Sequence, residues 1–150
     1  MIDVGKGPPL VLIPGMQGRW EWMRPTVEAL AQHFRVLTFT LAGEWTSGHA
    51  LKPQFGFDSY TLQVDRVLED AGAESAVVCG VSYGGLIALR YASKRPNRVK
   101  QLVLASALPP DYVQDRRYSF YRRTPSLLFP VFLLASSRRV SPELRAASLG

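Results

Sequence analysis

The apolar positions of this chain come in short unbroken runs, not in alternation. Leu10 to Ile13 lies within "PLVLIPG", and Arg35 to Leu41 reads "RVLTFTL". "SAVVCG" carries a third run, Ala76 to Cys79, and "VKQLVLASA" a fourth. Such runs, bounded by turn residues, predict strands buried on both faces. Between them the period becomes helical. "MRPTVEALAQHF" puts Val27, Leu30, Ala31 and Phe34 on one face, with Pro25 suited to a first turn. Asp58 is the expected cap of a second helix, which turns Tyr60, Val64, Val67 and Leu68 inward and closes at Gly72. "YGGLIALRYASKRP" predicts a third helix, with Leu86, Leu89 and Tyr91-Ala92 for the core and a stop near Pro96. Strands alternating with helices specify an α/β protein: a three-layer αβα sandwich on a mostly parallel central sheet. In such sheets chemistry gathers at the carboxyl ends of the strands. Pro14-Gly15-Met16, Gly43 to Gly48, Gly80 to Gly84 and Ser106 all fall there.

From Pro109 onward the alternation stops. The pattern there suggests short amphipathic helices broken at Pro125 and Pro130, with a late start at Ser141-Pro142. Residues 1–110 and 111–150 are therefore read as two parts. At 150 residues, 47% of them hydrophobic, the chain is the size of one globular domain. The net charge of +6 is uneven: residues 1–100 contribute +2 and residues 101–150 contribute +4. The excess lies in Arg116-Arg117, Arg122-Arg123 and Arg138-Arg139. These read as a solvated face, with phosphate or an anionic surface as the other partner of a basic tail. No zinc-finger spacing or RNA-binding aromatic motif accompanies them, so no nucleic-acid partner is expected. A single cysteine, Cys79, excludes an intramolecular disulfide and fits a reducing compartment. Asp3 and a short apolar run do not make a signal peptide. "LLFPVFLLA", Leu127 to Ala135, is far too short to span a bilayer. A cytoplasmic protein without a transmembrane segment is the expectation.

One stretch carries specific chemistry. Gly80-Val81-Ser82-Tyr83-Gly84 is a G-x-S-x-G pattern directly after a strand and directly before a helix. That context demands a sharp turn that strains the serine backbone and exposes its hydroxyl. The residues two before and two after the serine nearly touch, so Gly80 and Gly84 must be small. The new helix aims its N-terminus at the reacting centre, where it favours a developing negative charge.

With these residues in place the chain resembles the α/β-hydrolase family. "LVLIPGMQGRW" is similar to the family's strand and oxyanion turn, and "VVCGVSYGGLIALRYASKRPNRVKQLVLASA" to its nucleophile strand, elbow, helix and next strand. The resemblance runs from about Val4 to Pro110. It implies Ser82 as nucleophile, the backbone N–H groups of Met16 and Tyr83 as oxyanion hole, and residues 111–150 as the start of a helical cap. It also implies acyl transfer on a carboxylic ester, thioester or lactone, without cofactor or metal. The apolar cap suggests an apolar acyl substrate. An Asp-x-x-Gly-x-Gly-x-Ser stretch common in the family is here "TLAGEWTSG", which keeps Gly43 and Ser47 but has no Asp.

The triad is where the resemblance stops. The family order is Ser, then Asp or Glu, then His. The only histidines are His33 and His49, and both precede Ser82. His33 fits a helix C-terminus, while His49 sits in a loop at the active edge of the sheet. Asp111 and Asp115 follow the fourth strand, slightly late for the position a minority of the family gives its acid. The expectation is a fragment holding the nucleophile and oxyanion hole, without the family's first strand, most of its second, and the acid and base. The other reading is a non-catalytic binding or interaction module. Cys79 is expected as a small core residue, and Trp20, Trp22 and Met23 either line an acyl pocket or cover the sheet. With only four strands, bare sheet edges predict self-association or marginal stability.

Overall fold

The computed structural model describes residues 1–107. The arginine pairs, Leu127 to Ala135, Asp111, Asp115 and the expected cap helices lie outside the described residues. Five strands form one sheet in the order β1-β3-β2-β4-β5. They are β1 Ile2–Val4, β2 Pro9–Ile13, β3 Arg35–Thr38, β4 Ala76–Val81 and β5 Val99–Ala105. Three helices alternate with them: α1 Arg24–Leu30, α2 Asp58–Asp70 and α3 Tyr83–Lys94. The pairs β2–β3, β2–β4 and β4–β5 are parallel. Only β1 runs antiparallel, against β3.

The continuous apolar runs do what two-sided burial requires. Val11, Ile13 and Leu37 pack with Val64, Leu68, Ile87 and Tyr91 of α2 and α3. Their neighbours Leu10, Leu12 and Val36 point the other way and pack with Val27 and Leu30 of α1. Successive residues of a strand face opposite sides, so one run feeds two cores and the fold is the expected three-layer αβα sandwich. Thr38 is buried, and its Oγ1 donates to the Leu12 carbonyl at 2.9 Å.

Several local expectations are corrected. The sheet has five strands rather than four. β1 has only three residues, Ile2–Val4, too short for a periodicity signal. It is held by backbone pairing and by the Arg35 guanidinium, which donates to the Asp3 carboxylate at 2.9 Å. β3 ends at Thr38 rather than Leu41, although Phe39 and Leu41 remain buried. α1 is shorter than its pattern: a 3-10 turn at Trp20–Met23 precedes it and it ends at Leu30. Asp58 does not cap α2. Phe57 holds the cap position without a side-chain bond, and the Asp58 carboxylate turns to α3, accepting from Arg90 at 2.9 Å and from Lys94. In α3 the core residues are Ile87, Ala88 and Tyr91, whereas Leu86 and Leu89 are half-buried. Gly72 does close α2, with φ +63°.

The C-terminal half of α3 is anchored to α2 by a second carboxylate. The Tyr91 hydroxyl is buried and donates to Asp65 at 2.9 Å, and Arg95 and Arg98 complete the Asp65 carboxylate. Burial and the Asp65 acceptor push the Tyr91 phenol far above its ordinary range. Val103 and Leu104, neighbours on β5 that face opposite sides of the sheet, are 44% and 46% exposed. No helix among the described residues is long and apolar enough to cross a membrane.

Candidate active site

The turn at Ser82 follows directly from its glycines. β4 ends at Val81 and α3 begins at Tyr83, so Ser82 alone reverses the chain. Its backbone stands at φ 52° and ψ −116°, in the positive-φ region that side-chain-bearing residues avoid. A Cβ on Gly80 would collide with the Gly84 carbonyl, and one on Gly84 would collide with the carbonyls of Ile13 and Pro14. The strand, the new helix and the end of β2 therefore meet in backbone-to-backbone contact. The Ser82 N–H donates to the Ala105 carbonyl at 2.9 Å, pinning the turn to β5. Its side chain is left exposed.

Strand register brings the second predicted turn alongside. Ile13 pairs with Gly80, so Pro14-Gly15-Met16 leaves the sheet beside the strained serine. A Cβ on Gly15 would lie 3.6 Å from Ser82 Cβ. Ser82, Gly15, Met16, Trp22 and Met23 line one cavity of about 470 Å³. Of the aromatic residues weighed from the sequence, Trp22 belongs to this cavity, whereas Trp20 packs with the α1 layer. Tyr83 is the first residue of α3, so its N–H has no acceptor within the helix. The structure thus gathers Ser82, Met16, Tyr83, Gly80 and Gly84 at one end of the sheet.

A neighbouring cavity of about 590 Å³ shares Met16 and Gly18 with the first. Leu41, Glu44, Trp45, Leu51, Tyr60 and Tyr83 form its other walls. It is assembled by hydrogen bonds between distant segments. Leu41 N–H donates to the Gly18 carbonyl at 2.7 Å, and Gly43 N–H donates to the His49 carbonyl at 2.8 Å. Gln63 of α2 holds the chain on its way out of β3: it accepts from Ala42 N–H at 2.9 Å and donates to the Thr40 carbonyl at 2.9 Å. Phe57, Tyr60 and Tyr83 make a mutual edge-to-face cluster with centroids 5.5 to 6.0 Å apart. Burial pushes the Tyr83 phenol up to about 12, so it stays a neutral hydrogen-bonding group.

Neither histidine joins Ser82. His33 is exposed in the turn after α1. His49 lines two other cavities, and its Nδ1 lies 3.0 Å from the Ser47 carbonyl. Cys79 is half-buried on the α1 side of the sheet, and burial raises its thiol above the ordinary range. Among the described residues no cluster of three His, Cys, Asp or Glu side chains could hold a metal. Arg19 also lines the Ser82 cavity; no motif in the sequence marks it, or Glu44, Trp45, Leu51 and Tyr60 of the neighbouring cavity, as a site residue. Glu44 and Trp45 do fall in the Gly43 to Gly48 segment marked by its place after a strand.

Residues 8–148 match the family described as the α/β hydrolase fold, and the chain belongs to that family. It is 35% identical over 109 residues to a pimeloyl-[acyl-carrier protein] methyl ester esterase of Nitrosospira multiformis, covering 71% of this chain and 41% of that protein. It is 31% identical over 110 residues to a soluble epoxide hydrolase of Corynebacterium sp. strain C12, covering 72% and 37%. Among solved structures, an enol-lactonase from Burkholderia xenovorans LB400 superimposes with a TM-score of 0.61 at 27% identity, over 67% of this chain and 40% of that one. The chain spans about two-fifths of the length of these relatives. Their named substrates differ, because one fold supports many reactions.

Proposed function

We propose that this chain carries the nucleophile half of a serine hydrolase that acts by acyl transfer on a carboxylic ester, thioester or lactone. The carrying observation is Ser82, exposed at φ 52° in a cavity it shares with the Met16 turn. In this reading the Ser82 hydroxyl attacks the substrate carbonyl and its proton passes to a base. The N–H groups of Met16 and Tyr83 receive the oxyanion. Collapse expels the alcohol, thiol or ring oxygen, and water then releases the acyl group. Trp22, Met23 and Met16 offer the apolar wall expected for an apolar acyl substrate. Neither His33 nor His49 lines the Ser82 cavity, so in this reading another segment or chain supplies the activating imidazole. The cytoplasm is the proposed compartment.

His33 and His49 both lie away from the Ser82 cavity as the described residues line it, and this also supports a second reading, a non-catalytic binding module built on the same fold. Turnover separates the two. The protein translated through its whole reading frame should hydrolyse p-nitrophenyl acyl esters, and Ser82→Ala should lower kcat at least about a thousandfold. Unchanged turnover in Ser82→Ala, or no histidine anywhere after residue 150, supports the module instead.

A further inference from the structure

The cavity beside the Ser82 cavity has an unusual wall. Its side chains are aromatic or aliphatic apart from one carboxylate, Glu44; among the described residues it has no lysine, arginine or histidine. Glu44 is held in place. Its Oε2 accepts from Thr46 N–H at 2.7 Å and from the Thr46 hydroxyl. Its stem lies against Gly18, where a Cβ would come within 3.3 Å of Glu44 Cγ. Trp45 is 86% exposed, an indole the fold itself does not use. Tyr60 and Tyr83 complete the aromatic surface, and Tyr83 stays neutral. A fixed carboxylate among aromatic rings attracts a cation twice, by its charge and by the ring quadrupoles.

We propose that the Glu44 cavity binds a cationic alkylammonium group of the substrate, while the scissile carbonyl sits at Ser82. This rests on Ser82 as the reacting residue, since Met16 and Gly18 join the two cavities and make the second one the next space a bound ester reaches. A volume of about 590 Å³ is ample for such a group. The site selects through charge, so a neutral isostere of equal shape should bind less well.

The test is binding, not turnover. Butyrylcholine and its uncharged isostere 3,3-dimethylbutyl butyrate are titrated into the Ser82→Ala protein translated through its whole reading frame and followed by calorimetry. The expected result is about tenfold tighter binding of the cationic ester. Glu44→Gln, which keeps an acceptor for Thr46, should bring the two affinities together. Trp45→Ala, at an exposed position, should weaken the cationic ester about threefold more than the neutral one. Equal affinities in the Ser82→Ala protein, an unchanged preference in Glu44→Gln, or no saturable binding of either ester overturns the proposal. A wrong assignment of the nucleophile is read separately: a fluorophosphonate label away from Ser82, with the cationic preference intact, overturns the Ser82 reading and leaves the Glu44 site standing.

Discussion

Two turns meet at the carboxyl end of the sheet, and they are held by different means. The Ser82 turn is fixed by exclusion: Gly80 and Gly84 let backbone touch backbone, and no larger residue fits. The stretch after β2 is fixed by reach. Its Gly18 carbonyl is tied to Leu41, Leu41 lies on a segment tied to Gln63, and Met16 is left 78% exposed. The difference is that the strained centre is rigid by local sterics, whereas the walls around it depend on hydrogen bonds from other parts of the chain. The first kind of constraint demands particular residue types at fixed spacing. The second accepts many.

The largest effect should come from breaking the excluded turn. Gly84→Ala places a methyl against the carbonyls of Ile13 and Pro14. It should cost at least about 3 kcal/mol, the upper range for overpacking, because backbone cannot step aside as a side chain can. The urea midpoint reads this. Gln63→Leu attacks the other kind of support and strands Ala42 N–H and the Thr40 carbonyl. About 2 kcal/mol is expected by the same measurement. If the two losses were equal, the contrast between sterics and reach would fail.

Asp58 sharpens the comparison through pH. Hydrogen bonds from Arg90 and Lys94 hold its carboxyl at about 2, below the ordinary 3.8. A depressed carboxyl contributes stability above its unfolded value and loses it as pH falls. The anchoring of α3 by Asp58 should therefore weaken between about pH 4 and pH 2. Asp58→Asn should flatten that part of the acid stability profile. Smallest of all is Met16→Ala, at a side chain open to solvent, which should move stability by less than about 0.5 kcal/mol. Thermal unfolding of both variants at neutral pH checks the ranking.

This contrast also explains what was legible in the sequence. The four longer strands, the three helices and the Ser82 turn follow from apolar runs, helical periods and glycine spacing, all local signals. β1 did not, because its three residues are held by pairing with β3 and by the Asp3–Arg35 contact. Asp58 looks like a cap in the sequence because it is a carboxylate at a helix start, whereas two cations of α3 compete for it through the tertiary fold. Residue type alone puts Leu86 and Leu89 in the core, but the face of α3 that meets the sheet is the one that carries Gly84, and it buries Ile87 and Tyr91. The Glu44 cavity draws on residues from Met16 to Tyr83. Only its position after a strand end marked part of it beforehand.

The central claim is that Ser82 is a nucleophile whose base is neither His33 nor His49. Labelling with a fluorophosphonate, located by peptide mass, tests it most directly. The protein translated through its whole reading frame should carry the label on Ser82, and the folded 150-residue chain should remain unlabelled. Rapid labelling of Ser82 in the 150-residue chain, or a label elsewhere in the longer protein, would contradict the account.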